Sequence, residues 1–187
     1  MRTLLRVAVL SLSAALAAPA AAQQAAPSAP AAAQQPASLG VTFNAFVALK
    51  PGMTADDVAR VIGRPGRELS RAQAGGYTTV SYQWMADDMS AIMVTLQNDA
   101  VINVTQMSLK PPYPVRPATL ATHAQLRPGM TLEQAMDVLG PGIPMSMTRL
   151  MNTVTFSVSW PGESLGSMLL VTFQDGKLAS SMQAGLR

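Results

Sequence analysis

Leu49-Lys50-Pro51-Gly52-Met53-Thr54 returns, at one constant offset, as Leu126-Arg127-Pro128-Gly129-Met130-Thr131. At that offset Val61-Ile62-Gly63 becomes Val138-Leu139-Gly140, and Val94-Thr95-Leu96-Gln97-Asn98 becomes Val171-Thr172-Phe173-Gln174-Asp175. Trp84 matches Trp160 at an offset shorter by one, which requires a single deletion in a loop. Self-similarity held in register over this length marks a duplicated unit. The copies span 40–109 and 118–187. Between them, 110–117 carries four prolines in eight residues and reads as an extended connector of polyproline type.

Within each copy the local chemistry sets out the elements. Thr54 with Asp57, and Thr131 with Gln134, place a capping hydroxyl three residues before a side chain able to reach back, so a helix is predicted to begin at each. Val58, Val61 and Ile62, and again Ala135, Val138 and Leu139, lie on one helical face, and Gly63 and Gly140 are expected in the left-handed position that ends the helix. Phe46 and Leu49, or His123 and Leu126, suggest a further short helix before each Pro-Gly corner. The period then changes to two. Val80, Tyr82 and Trp84 alternate with Thr79, Ser81 and Gln83, and Val154, Phe156, Val158 and Trp160 with Thr155, Ser157 and Ser159. Two more strands follow in each copy, and Leu69 and the 145–150 region are candidates for an additional edge strand. The predicted fold class is α+β: a tandem repeat of a helical hairpin packed on an antiparallel β-sheet, its two sheets forming one concave surface with one face left wet.

Composition narrows the function. The 187-residue chain has no cysteine and one histidine, which excludes a disulfide scaffold, a zinc ribbon, a thiol nucleophile and a multi-histidine metal site. Residues 1–22 combine a short basic start, an apolar run from Val7 to Ala18 and a small-residue cleavage site, the layout of a secretory signal peptide too short to span a bilayer. Of 13 basic residues, Arg2 and Arg6 belong to that leader, so 11 face 10 acidic residues after cleavage and nucleic-acid binding is not expected. Residues 23–39, mostly Ala, Pro and Gln, read as a disordered linker. No later run is long and apolar enough to span a membrane, and no cysteine follows the cleavage region to carry a lipid. The expected location is the periplasm, peripheral to the outer membrane or secreted.

The run Phe46-x-x-Leu49-x-x-Gly52-Met53-Thr54-x-x-x-Val58-x-x-x-Ile62-Gly63-x-Pro65, with the turn Phe173-Gln174-Asp175-Gly176, resembles the SmpA/OmlA (BamE-like) domain, and in tandem it is similar to the β-lactamase inhibitor protein (BLIP-like) fold. The resemblance covers essentially everything after the linker. It implies a non-enzymatic protein-binding module of the bacterial envelope, linked to outer-membrane protein assembly. The alternative it implies is a periplasmic inhibitor of a secreted hydrolase such as a β-lactamase. The inhibitor's loop aspartate falls at Asp88, while the aromatic residues that follow it there are Met89, Ser90 and Ile92 here, and the second-copy loop has Ser164 near the aromatic position.

The candidate contact residues are the loop residues Asp87, Asp88 and Met89, the polar strand positions Thr79, Ser81, Gln83, Ser157 and Ser159, and the apolar Met93, Met168 and Leu170 interleaved with them. No cofactor and no metal is expected. Met85, Met89, Met93, Met145 and Met147 are chemically suited to Cu(I), but they read better as adaptable packing. A hydrolase would have to use His123, and that residue occupies the repeat position of Phe46, where a packing ring belongs.

Overall fold

Thr54 and Thr131 each sit in extended backbone and accept the amide of the residue three along, while Asp57 and Gln134 accept the threonine amides in return, at 3.1 and 2.9 Å. Both predicted capping boxes are present, satisfying N–H groups that a helix start otherwise leaves unpaired. They open α2 (Ala55–Ile62) and α4 (Leu132–Leu139), and α1 (Phe43–Ala48) and α3 (Leu120–His123) precede them. Gly63 ends α2 in the left-handed region at φ 92°, ψ 4°. Gly140 does not repeat this. At φ 78°, ψ −177° it occupies a region essentially reserved for glycine, and a Cβ there would meet Arg116 Nε at 2.8 Å. On α2 the cation pairs with Asp57, Arg60 Nη1 to Oδ1 at 2.8 Å, rather than with Asp56 four residues before it.

The computed structural model describes residues 38–187; the predicted signal peptide 1–22 and all but the end of the predicted 23–39 linker lie outside the described residues. Eight strands follow in chain order: β1 (Arg67–Ala74), β2 (Tyr77–Met85), β3 (Ala91–Gln97), β4 (Ala100–Met107), β5 (Ile143–Leu150), β6 (Thr153–Pro161), β7 (Met168–Gln174) and β8 (Lys177–Ala184). They form one sheet, each strand antiparallel to the next, in the order β1 to β8. The α+β expectation of helical hairpins on two sheets is therefore wrong. The fold is mostly β, its helices run only four to eight residues, and there is one sheet, not two. The physical reason lies at β4 and β5. Asn103, Val104 and Thr105 pair with Thr148, Met147 and Ser146, so two strand edges that would each have exposed unpaired backbone groups satisfy each other. The 145–150 region is thus an internal strand that fuses the halves, not an edge; of the two predicted edge strands only β1, containing Leu69, lies at an edge.

One side of the sheet is core. Phe43, Phe46, Val58 and Ile62 pack with Trp84, Ile92, Val94 and Leu96, and Ala135 and Leu139 pack with Trp160, Leu169, Val171 and Phe173. Each tryptophan also finds a partner for its indole N–H, Trp84 donating to Arg64 O at 2.8 Å and Trp160 to Gly140 O at 3.0 Å. Gly66 and Gly142 make room for the rings, since a Cβ would fall 2.6 and 2.5 Å from indole carbons. In the connector, Tyr113 stacks edge-on against Phe43 with centroids 5.7 Å apart and donates its hydroxyl to Gly142 O at 2.8 Å.

Candidate functional site

Strand alternation sends the other set of side chains away from the core, and the pairing register aligns them across the sheet. One row runs Gln83, Met93, Thr105, Ser146, Ser157, Thr172, Ser180, each opposite the next on the neighbouring strand. The next row runs Ser81, Thr95, Asn103, Thr148, Thr155, Gln174. Ser81 and Thr95 share a hydrogen bond of 3.2 Å, Asn103 donates to Thr148 at 2.7 Å, and Thr105 donates to Asn103 Oδ1 at 3.1 Å. Between Arg67, opposite Gln83 at one end of the first row, and Lys177, opposite Gln174 at the far end of the second, these two rows contain no ionisable side chain. Such a face cannot move protons; it offers short donors and acceptors that cost less to desolvate than charges and lose little rotamer entropy.

The predicted strand residues divide on this face. Ser81, Gln83, Met93 and Ser157 sit in the rows, half-buried, and Thr79 lies one row further out opposite Gln97. Ser159 pairs with Leu170 and is only 8% exposed, Leu170 is half-buried, and Met168 opens β7 in solvent. Met85 and Met107 flank Ala91 in register and Met93 lies in the adjacent row, so three methionines from three strands share one end of the face. Beneath them Ala91 is fully buried. The sequence reading missed Met107, whose neighbours come from the pairing of β4 with β3, and Asn103, Thr105, Ser146 and Thr148, whose neighbourhood exists only once β4 and β5 are paired.

The hairpin loops complete the site. Because every strand is antiparallel to its neighbour, the β2–β3 and β6–β7 loops project from the same end of the sheet, the methionine end. In the first loop Asp88 Oδ1 accepts from the Ser90 hydroxyl at 2.6 Å and the Ser90 amide at 3.0 Å, and these bonds hold its carboxyl below the usual carboxylate range. Asp88 thereby fastens the turn. Asp87 and Met89 point outward, Met89 in the left-handed region at φ 67° and 69% exposed. In the second loop Ser167 is the fastener, its hydroxyl accepting from Ser164 N at 3.0 Å, while Glu163 and the fully exposed Leu165 form the tip. Leu165 was invisible to a search for an aromatic anchor; a large aliphatic residue between Ser164 and Gly166 was the available signal. At the flank, Arg64 donates to Met85 O, and with Pro65, Arg67, Gln83 and Trp84 it lines an open cleft.

His123 Nε2 lies 3.0 Å from Ser181 Oγ on exposed β8. Among the described residues the His123 ring makes no ion pair with a carboxylate, the orienting acid that a hydrolytic triad uses. Among the described residues no helix is long and apolar enough to cross a membrane.

No curated protein matches the chain. A crystal structure of a Streptococcus mutans protein, provisionally named a beta-lactamase inhibitor protein, superposes with a TM-score of 0.60 at 17% identity, covering 79% of this chain and 91% of that one. At that identity the likeness concerns the fold. Together with the family match, it supports the inhibitor side of the resemblance and not an SmpA/OmlA tandem or an outer-membrane assembly partner. The beta-lactamase inhibitor family acts by binding rather than by catalysis. A family model described as "Beta-lactamase inhibitor (BLIP)" matches residues 42–160, more than half of the sequence, and the chain belongs to that family.

Proposed function

We propose that this protein is an exported inhibitor-like module that binds a secreted hydrolase of the β-lactamase type through the loop end of its hydroxyl-lined sheet face. The observation that carries the reading is the placement of Met89 and Leu165, two large exposed apolar residues, on loops at the same end of the sheet and beside the Met85, Met93 and Met107 patch. Exposed apolar groups gathered at one site mark a contact surface, and methionine adapts its shape to what it meets. Asp87 and Glu163 stand next to these anchors and suit a partner with basic or hydroxyl groups around its pocket. The leader at 1–22 and the absence of a lipidation cysteine after it support a soluble periplasmic or secreted location, where such a hydrolase works.

The test is titration of the purified protein against a panel of secreted serine β-lactamases. The expected result is saturable inhibition of at least one enzyme, with an inhibition constant in the micromolar range or tighter, equivalent to roughly 8 kcal/mol or more. Inhibition constants weaker than about 1 mM across the panel overturn the hydrolase reading. Photocrosslinking from Ser157 in intact cells then identifies what the sheet face touches.

A further inference from the structure

The sheet ends at β1 and β8, and the two ends are built differently. On β8, Leu178 exchanges backbone bonds with Gly129 and Met130 at 2.9 and 2.7 Å, just as Val101 on β4 does with Gly52 and Met53, both at 2.8 Å. Beyond that point the strands are equivalent in register. Ser180, Ser181 and Met182 lie opposite Thr172, Val171 and Leu170 as Asn103, Val104 and Thr105 lie opposite Thr95, Val94 and Met93. On β4 this stretch accepts β5. On β8 the same stretch has no strand neighbour among the described residues.

We propose that this edge docks on β8 of a second copy, antiparallel about a two-fold axis, continuing the sheet across the dimer. The β4–β5 joint within the chain shows that the backbone at this position takes an antiparallel partner. Between Lys177 and Arg187 the edge bears no charge, and antiparallel self-pairing sets Lys177 opposite the Ala184 end of the other strand, away from its counterpart. Met182, 65% exposed, gains cover. The head-to-tail alternative, β8 on β1, is disfavoured by β1 itself. Arg71 stands where β5 has Met147 and is held by Glu68 through bonds of 3.0 and 2.7 Å. Charge on an edge strand is one way such strands resist pairing. A head-to-tail contact also grows into rings or open fibres, whereas a two-fold contact closes at the dimer.

Sedimentation equilibrium of the purified chain tests this. The expected mass rises toward twice the monomer between about 10 µM and about 1 mM, as suits an interface below the standard size. Met182→Lys, at an exposed site that tolerates charge, raises the dimer dissociation constant at least about tenfold while circular dichroism stays unchanged. In this cysteine-free chain Ser180→Cys forms a disulfide-linked dimer and Ser70→Cys on β1 does not. A monomeric mass at every concentration, a dimer indifferent to Met182→Lys, or equal crosslinking from Ser70→Cys each overturns the proposal; the last points to a β1–β1 contact.

Discussion

The Asn103 side-chain nitrogen donates to the Thr148 hydroxyl at 2.7 Å, clasping β4 to β5 where the two strands pair over only three residues. On the core side of the same joint Gln106, 4% exposed, donates to Pro144 O at 3.1 Å and accepts the buried Leu109 amide at 3.0 Å. The halves of the sheet are thus held by polar clasps on both faces as well as by the backbone ladder. Gln106→Ala strands the Leu109 amide and is expected to cost about 1–3 kcal/mol, whereas Asn103→Ala, at a half-exposed site, costs about 0.5–1.5 kcal/mol. Urea unfolding checks both, with the midpoint falling at an unchanged slope.

The tryptophan sites offer a second measure. Trp160 is fully buried and its ring occupies space that only glycine at 142 leaves free. Trp160→Ala is expected to lose about 3–5 kcal/mol through the cavity it opens. Gly142→Ala forces a Cβ to 2.5 Å from the indole and is expected to lower the thermal midpoint by several degrees, more than Gly66→Ala, whose neighbour Trp84 sits beside an open cleft. Thermal denaturation of the three variants gives the order.

Much of this was legible in the sequence because the signals were local. Thr54 and Asp57, or Thr131 and Gln134, announce a helix start within four residues, and the alternation around Trp84 and Trp160 announces a half-buried strand within nine. The joint was not legible. Nothing local in Asn103-Val104-Thr105 or Ser146-Met147-Thr148 says that these strands meet, and a duplicated sequence reads equally well as two separate sheets. The helices were overweighted for a related reason: caps and apolar stripes are conspicuous, yet they specify elements of only two turns against strands of seven to nine residues. At the site, the part Asp88 plays in fastening its turn is not legible because its bond to Ser90 depends on the turn's shape, and Leu165 went unnoticed because exposure at a loop tip is a property of the fold.

Acid should act through the caps. Bonds from the Thr54 backbone, then from its hydroxyl and from Arg60, hold Asp57 below the usual carboxylate range, and bonds from Arg71 do the same for Glu68. A carboxyl whose folded value is depressed binds its proton more readily in the unfolded chain. It therefore adds stability above the unfolded carboxylate range and loses that contribution as pH falls through the folded value. The thermal midpoint is expected to drop between about pH 5 and about pH 2. Asp57→Asn should be less stable than the parent at pH 6 and approach it at pH 2; parallel curves would show that the cap does not titrate with folding.

If the loop end is the contact surface, its two apolar tips should share the binding energy unequally with everything around them. Met89 and Leu165 are the large side chains most exposed there, and small sets of central apolar residues dominate interfaces. Met89→Ser and Leu165→Ser are each expected to weaken binding to an inhibited hydrolase about tenfold or more, a loss of about 1.4 kcal/mol apiece. Asp88→Ala should also weaken it, by loosening the turn that presents Met89, and Asp88→Asn should restore most of the loss because an amide oxygen still accepts from Ser90. Met151, 95% exposed in the β5–β6 turn at the opposite end of the sheet, supplies the control. Met151→Ser should leave the inhibition constant unchanged, and a loss there equal to that at Met89 would move the contact surface to the other end.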